Sequence, residues 1–219
     1  MKQDLVIISR PPFSFAREVA WAVEEVNKLK DEWKLLGFVS DEDTGQHVNG
    51  YPIVGGTEWL INYDKPINVV FGFSDSAVRK DLIRHFKSNT NIKYANIIAP
   101  DVKCSHLIEY GEGCVICSGT ILTVNIKIGS HVIINLDCTV GHDAVINDYC
   151  VLSPSVNISG NVTLGEGVYV GTGANIIEKI SVGANTTIGA GAVVLKDIPA
   201  DCVAVGVPAV PVKFKVAQS

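Results

Sequence analysis

From Ile98 onward the chain counts in sixes. Stepping by six residues gives Ile98, Cys104, Tyr110, Ile116, Leu122, Ile128, Ile134, Val140, Ile146, Leu152, Ile158, Leu164, Val170, Ile176, Val182, Ile188 and Val194. None of these positions is charged, and from Ile116 on all are aliphatic. Four places later the residue is small or β-branched, as at Cys114, Thr120, Cys138, Ala144, Cys150, Val156 and Ala174. One place later it is often glycine, as at Gly111, Gly129, Gly141, Gly165, Gly171, Gly183 and Gly189. A period held this long marks a repeat architecture, in which each unit buries its apolar face against its neighbours.

Six residues make one short strand and a turn, and three such units close a triangular coil. The large aliphatic residue points inward, and the small one sits near a corner. The glycine is expected to take a backbone conformation that other residues resist. Coils stack at the strand spacing of about 4.8 Å, and the repeat supplies between five and six of them. Each satisfies its backbone through the coils above and below. The period alone does not set the hand of the coil.

The first 95 or so residues follow another grammar. Residues 5–9 read as a buried strand, 15–29 as a helix with Ser14 as its N-cap, and 35–39 as a second strand. Turn signals cluster over 48–56, clearest at Asn49-Gly50. A third strand is expected over 67–73, a second helix over 76–86, and a last short strand over 95–98. Alternating strands and helices predict a small Rossmann-like parallel α/β sheet. The expected division is therefore an α/β domain over 1–96 and an all-β coil with a C-terminal cap over 97–219.

Composition narrows the function classes. A net charge of −5 with no basic block gives no case for nucleic acid. No run approaches 18 apolar residues, so no membrane span is expected. The opening Met1-Lys2-Gln3-Asp4 and the short apolar run after it do not read as a signal peptide, and a cytoplasmic location is expected. There the six cysteines are expected to stay reduced. Cys114-x-x-Cys117 has redox or zinc spacing, but no second such pair and no nearby histidine pair accompany it. Its place in the repeat gives a packing role, and no metal is expected.

Several stretches, taken in order, resemble one family: Phe15-Ala16-Arg17-Glu18-Val19, Gly37-Phe38-Val39-Ser40-Asp41, Asn49-Gly50-Tyr51-Pro52-Ile53, Ile134-Asn135, Val140-Gly141-His142-Asp143, Ser159-Gly160-Asn161-Val162, Ile188-Gly189-Ala190-Gly191-Ala192 and Val205-Gly206-Val207-Pro208. Together they look like the hexapeptide-repeat sugar acetyltransferases of the sialic-acid O-acetyltransferase and bacillosamine-type N-acetyltransferase group. The resemblance covers nearly the whole chain and implies a left-handed parallel β-helix. It also implies acetyl-CoA as donor, a sugar or nucleotide-sugar acceptor, and a homotrimer with active sites between subunits.

By the same resemblance His142 is the general base and Asp143 holds its imidazole. The acceptor must lose a proton as it attacks the thioester, and imidazole suits that task near neutral pH. Two residues after inward Val140, His142 should also project outward from the coil. The matching acetyl-CoA positions are Val151, Gly160, Thr172 and Ala190, with Gly160 letting pantetheine approach the backbone. Some relatives have a second histidine where Val151 stands, so a backbone amide is expected to polarise the thioester here. Lys196 or Lys213 is a candidate for the CoA phosphates. The matching acceptor positions are Asp41, Gly72, Ser74 and Asn135. His106, at the same repeat position as His142 and two coils earlier, is a candidate for the acceptor cleft. His131 reads as a solvated turn residue, and His47 and His85 have no evident partner.

One stretch departs from the family. Its first loop, usually rich in glycine so that the backbone can approach a nucleotide diphosphate, reads Ser9-Arg10-Pro11-Pro12-Phe13-Ser14. That leaves the nucleotide part of the acceptor in question, and N- and O-transfer both open. Two further readings were weighed: a non-catalytic scaffold or sugar-binding relative, and a carbonic-anhydrase-like β-helix, for which His106, His131 and His142 lack the spacing.

Overall fold

Leu5, Val6, Ile7 and Ile8 are all at most 2% exposed, the mark of a strand covered on both faces. They form the middle of β1 (Gln3–Ile8) in a computed structural model that describes residues 2–215. The chain divides after Pro100 into two compact units. In the first, β1 is followed by α1 (Ser14–Lys30), β2 (Trp33–Val39), β3 (His47–Val48), β4 (Tyr51–Gly55), α2 (Thr57–Ile61), β5 (Ile67–Phe71), α3 (Ser76–Phe86) and β6 (Ile92–Tyr94). The sheet order is β3-β4-β2-β1-β5-β6. All its pairs are parallel except β3 with β4. Those two form a hairpin at Asn49 and Gly50, whose φ values of 48° and 84° suit the tight turn that Asn-Gly favours.

Three local expectations are corrected. Ser14 does not cap α1. Phe13 occupies the cap position in the left-handed region, at φ 61°, and no side chain caps the helix. The third strand ends at Phe71 rather than residue 73. The last strand of this sheet is Ile92–Tyr94 rather than 95–98, because Ile92 and Tyr94 pack against the cluster that includes Phe71 and Phe86.

The second unit is a left-handed parallel β-helix. Val115 pairs with Ile133, Ile133 with Val151, Val151 with Tyr169 and Tyr169 with Thr187, each in parallel and each eighteen residues on. One coil is thus three repeats. Its strands build three faces: a first through Ile133–Ile134 and Val151–Leu152, a second through Thr139–Val140 and Asn157–Ile158, and a third through Val145–Ile146 and Thr163–Leu164. The large aliphatic residues from Ile116 to Val194 are buried inside. A hairpin of Cys202–Gly206 and Ala209–Phe214 ends the described coil.

The repeat glycines have another role than expected. Gly111, Gly129, Gly141, Gly165, Gly171, Gly183 and Gly189 do not have positive φ. They are small because the next coil presses on them: a Cβ at Gly141 would lie 2.6 Å from the Gly160 nitrogen, and one at Gly171 2.6 Å from that of Ala190. Positive φ falls two residues later, at Asn125, Asp137, Asp143, Asn161 and Asn185 among others, types that tolerate the left-handed region. The small inward cysteines pack and also donate: Cys114, Cys138 and Cys150 reach the carbonyls of Gly129, Ser153 and Gly165 at 3.1–3.2 Å. Burial pushes the Cys138 thiol up to about 11. His131 is not a solvated turn residue. It is 3% exposed and stacks on Tyr149, ring centroids 5.3 Å apart.

Candidate active site

His142 follows the strand Thr139–Val140, on the edge between the second and third faces. Because Val140 points inward, the chain turns there and presents the next side chains to solvent; the His142 side chain is 59% exposed. Asp143 takes the left-handed conformation at φ 59°. That swings its carboxylate back to His142, with Nδ1 and Oδ2 2.8 Å apart. An ionised carboxylate only accepts, so Nδ1 carries the hydrogen and the neutral ring keeps its lone pair on Nε2. The hydrogen bond from His142, then one from Asn125, holds the Asp143 carboxyl below its ordinary range. Asn125 Nδ2 donates to Asp143 Oδ1 at 3.3 Å from one coil below. No catalytic motif marks Asn125; its one sequence signal is the offset of eighteen residues from Asp143.

Gly160 lies one coil above His142. A Cβ there would stand 2.6 Å from both Cε1 and Nε2 of the imidazole. The missing side chain therefore makes room for the His142 ring, a reason for glycine that does not depend on a cofactor. Gly160 does not have a positive φ, so conformation does not demand it.

The other expected cofactor positions do not gather beside His142 on the same chain. Thr172 and Ala190 are exposed and stacked, one coil apart, on the edge between the first and second faces. The Gly191 amide donates to the Thr172 carbonyl at 2.8 Å. Asn135 is on that edge too, two coils below Gly171, and its Oδ1 accepts from the Leu136 amide at 2.8 Å. Val151 is on the first face, 4% exposed, with its amide committed to the Val168 carbonyl. Neither its side chain nor its amide is available to a thioester.

The first unit places Asp41, Gly72 and Ser74 just past the carboxyl ends of β2 and β5, the edge where parallel α/β sheets hold ligands. Two of the three have structural work. Asp41 Oδ1 accepts from the Thr57 amide at 2.6 Å and Oγ1 at 3.0 Å, tying down the start of α2. Gly72 is buried, and a Cβ there would meet Ala16 Cα at 2.7 Å, so it exists for the packing of α1. Ser74 is exposed, and its carbonyl accepts from Arg79. In the glycine-free loop the Phe13 ring packs toward Phe38, centroids 6.2 Å apart, and the Arg10 guanidinium lies 5.3 Å from the Phe73 ring centroid. An aromatic ring and two prolines thus occupy the loop that glycines leave open elsewhere.

Comparison with known proteins follows the same lines. Residues 161–196 match the bacterial transferase hexapeptide family model of six repeats. The perosamine N-acetyltransferase of Caulobacter crescentus, solved as a histidine-to-asparagine mutant with CoA and GDP-perosamine, superposes with a TM-score of 0.85 at 28% identity over 97% of both chains. Over residues 161–196 the chain is similar to the hexapeptide-repeat transferases. The acetyltransferase domain of PglB from Neisseria gonorrhoeae, in complex with acetyl coenzyme A, gives 0.87 at 26% identity over 97% of this hexapeptide-repeat chain and all of that one. A GDP-perosamine N-acetyltransferase of Escherichia coli is 29% identical over 143 residues, 64% of this chain and 62% of that one. The chain spans less than two thirds of the length of the curated relatives it matches. Among the described residues no helix is long and apolar enough to cross a membrane, and no three His, Cys, Asp or Glu side chains are grouped to hold a metal ion.

Proposed function

We propose that this chain transfers the acetyl group of acetyl-CoA to the amino group of a nucleotide-linked sugar. The observation that carries the reading is the exposed His142, with Nδ1 bonded to Asp143 and Nε2 directed over Gly160. Such an imidazole is oriented, open to a substrate and free to accept one proton. His142 Nε2 takes the proton of the attacking amine as its nitrogen bonds to the acetyl carbon, and Asp143 stabilises the imidazolium. The carbon–sulfur bond breaks and His142 returns the proton to the departing thiolate. No covalent enzyme intermediate is required, and positioning supplies much of the rate. With Val151 ruled out, polarising the thioester oxygen falls to another backbone amide.

The split of the expected residues between two edges supports a shared site. His142 and Gly160 stand on one edge of the coil, Asn135, Thr172 and Ala190 on another, with the whole second face between them. A ring of three chains, each setting one edge against the other edge of its neighbour, completes the set three times. We assign acceptor binding to residues 1–96, at the sheet edge beside the exposed Ser74 and a loop without glycines, and transfer to residues 97–219. Six free thiols, five of them buried, suit a reducing cytoplasm.

An assay with acetyl-CoA against GDP- and UDP-linked amino sugars, free amino sugars and sialic acids tests this. Release of CoA thiol together with a singly acetylated nucleotide amino sugar is expected. Thiol release with none of these acceptors would refute it.

A further inference from the structure

We infer that Asn125 is a positioning residue: by holding the second oxygen of the Asp143 carboxylate, it keeps the His142 ring in the one tautomer that leaves Nε2 free to take a proton. The inference deepens the acetyl-transfer reading above and rests on it for the reaction, though not for the geometry.

The register of the coil builds the pair. Lys127 pairs with Val145 in parallel, so Asn125 stands one coil below Asp143. Both residues are in the left-handed region, at φ 55° and 59°. The Asp143 amide donates to the Val124 carbonyl at 3.1 Å, which ties the two corners together. An ionised carboxylate can only accept, so the Asn125 amide turns its nitrogen toward it. Nδ2 donates to Oδ1 at 3.3 Å, and Oδ2 is left to His142 Nδ1 at 2.8 Å.

Each carboxylate oxygen thus has its own donor. That matters because the Asp143 side chain is 46% exposed. A carboxyl group turns readily about its last bond, and with one oxygen tied the group swings between the ring and water. Tying both fixes its plane and keeps an acceptor at Nδ1, which holds the hydrogen there. Other charged groups nearby do not replace Asn125. His106, Glu109 and Lys127 line a cleft with it on the side of the ring away from Nε2. Lys179, whose amide bonds the Gly160 carbonyl from above, pairs with Glu178. Among the described residues, the side chains bonded to Asp143 are those of His142 and Asn125.

The coil carries its own control. Asn185, at φ 56°, donates to Asp201 Oδ1 at 3.1 Å on another edge, and no histidine neighbours that carboxylate in the chain. A stacked Asn–Asp corner is therefore not enough to imply catalysis. What sets Asn125 apart is the imidazole on the other oxygen of its partner.

The test compares Asn125→Gly with Asn185→Gly. Glycine takes the left-handed conformation without strain, so both proteins should melt close to wild type. Asn125→Asp is a second variant, of the same shape and with no N–H to give. In protein labelled with nitrogen-15 at the histidine rings, the His142 signals are assigned by their absence from His142→Ala. In wild type with the ring neutral they should be those of the Nδ1–H tautomer. Asn125→Gly and Asn125→Asp should show mixed tautomers, and Asn185→Gly the wild-type pattern. With acetyl-CoA and GDP-perosamine, Asn125→Gly should lose turnover about tenfold with both KM values within about twofold of wild type. Asn185→Gly should turn over as wild type does. In an Asp143→Asn background, Asn125→Gly should cost no further turnover, because its effect passes through the carboxylate. An unmixed tautomer in Asn125→Gly, a loss confined to the acceptor KM, an equal loss in Asn185→Gly, or losses that add to that of Asp143→Asn would overturn the assignment. Mixed tautomers in Asn125→Gly, with no acetyl transfer by wild type to any acceptor tried, would keep the positioning role and refute the reaction.

Discussion

The His142 imidazole rests against the backbone of Gly160, one coil further along: a side-chain carbon at residue 160 would stand 2.6 Å from both Cε1 and Nε2. The ring is therefore held by two constraints, the carboxylate of Asp143 at Nδ1 and the bare backbone of the coil above against its other edge.

Gly160→Ala should separate activity from stability. Its φ is ordinary for any residue, so the methyl group strains little backbone; it pushes on an exposed ring that can rotate away. Turnover should fall at least tenfold, with a melting temperature within a few degrees of wild type. An active Gly160→Ala enzyme would mean that the ring position seen here is not the catalytic one.

Gly171→Ala should do the opposite. The added carbon would meet the Ala190 nitrogen at 2.6 Å, and backbone cannot swing aside. The coils must part locally, at a cost of about 3 kcal/mol or more. Chemical denaturation of the two variants side by side measures the contrast.

Asp143 sets an acid limit on stability. Its folded-state carboxyl is held below the ordinary range, first by His142 and then by Asn125. A depressed carboxyl stabilises the fold above its unfolded-state pKa of about 3.9. That contribution is lost as pH falls through the folded value. Asp143→Asn removes it, so melting temperatures of mutant and wild type should converge as pH falls through the depressed folded value and be best separated at neutral pH. The carboxyl is solvent-exposed, so the effect on turnover should exceed the effect on melting: a loss of about tenfold to a hundredfold through misorientation of the imidazole.

The buried thiols should be inert. Cys114, Cys117, Cys138, Cys150 and Cys202 are buried and Cys104 is exposed. With Cys138 pushed up to about 11 by burial, its thiolate is scarce at neutral pH. Brief alkylation of the native protein, read by mass spectrometry, should label Cys104 alone. Labelling at Cys138 would contradict the packing of the small inward position.

The coil was legible in sequence because its physics is local and periodic. A charge at Val140 or Leu152 would break it, and none occurs. The expected outward projection of His142 followed from its two-residue offset from Val140. What the period hid was the spacing between coils. It explains why Gly141 and Gly171 are glycine for contact rather than for conformation, and why Asn125, with no motif around it, supports Asp143. His131 was misread because a polar residue two places after a glycine looks like a solvated turn. The stacking partner that buries it, Tyr149, is eighteen residues away. In the first unit the loss of glycines from residues 9–14 was plain, but not that Phe13 would adopt the left-handed conformation and fill the space. Nor did sequence reveal that Asp41 and Gly72 serve α2 and α1.

The most direct test of the account compares wild type with His142→Ala in acetyl transfer from acetyl-CoA to GDP-perosamine, at saturating concentrations of both. The account predicts at least a hundredfold loss of turnover with an acetyl-CoA KM close to wild type. Turnover retained within a few fold would contradict the role of His142 as the base.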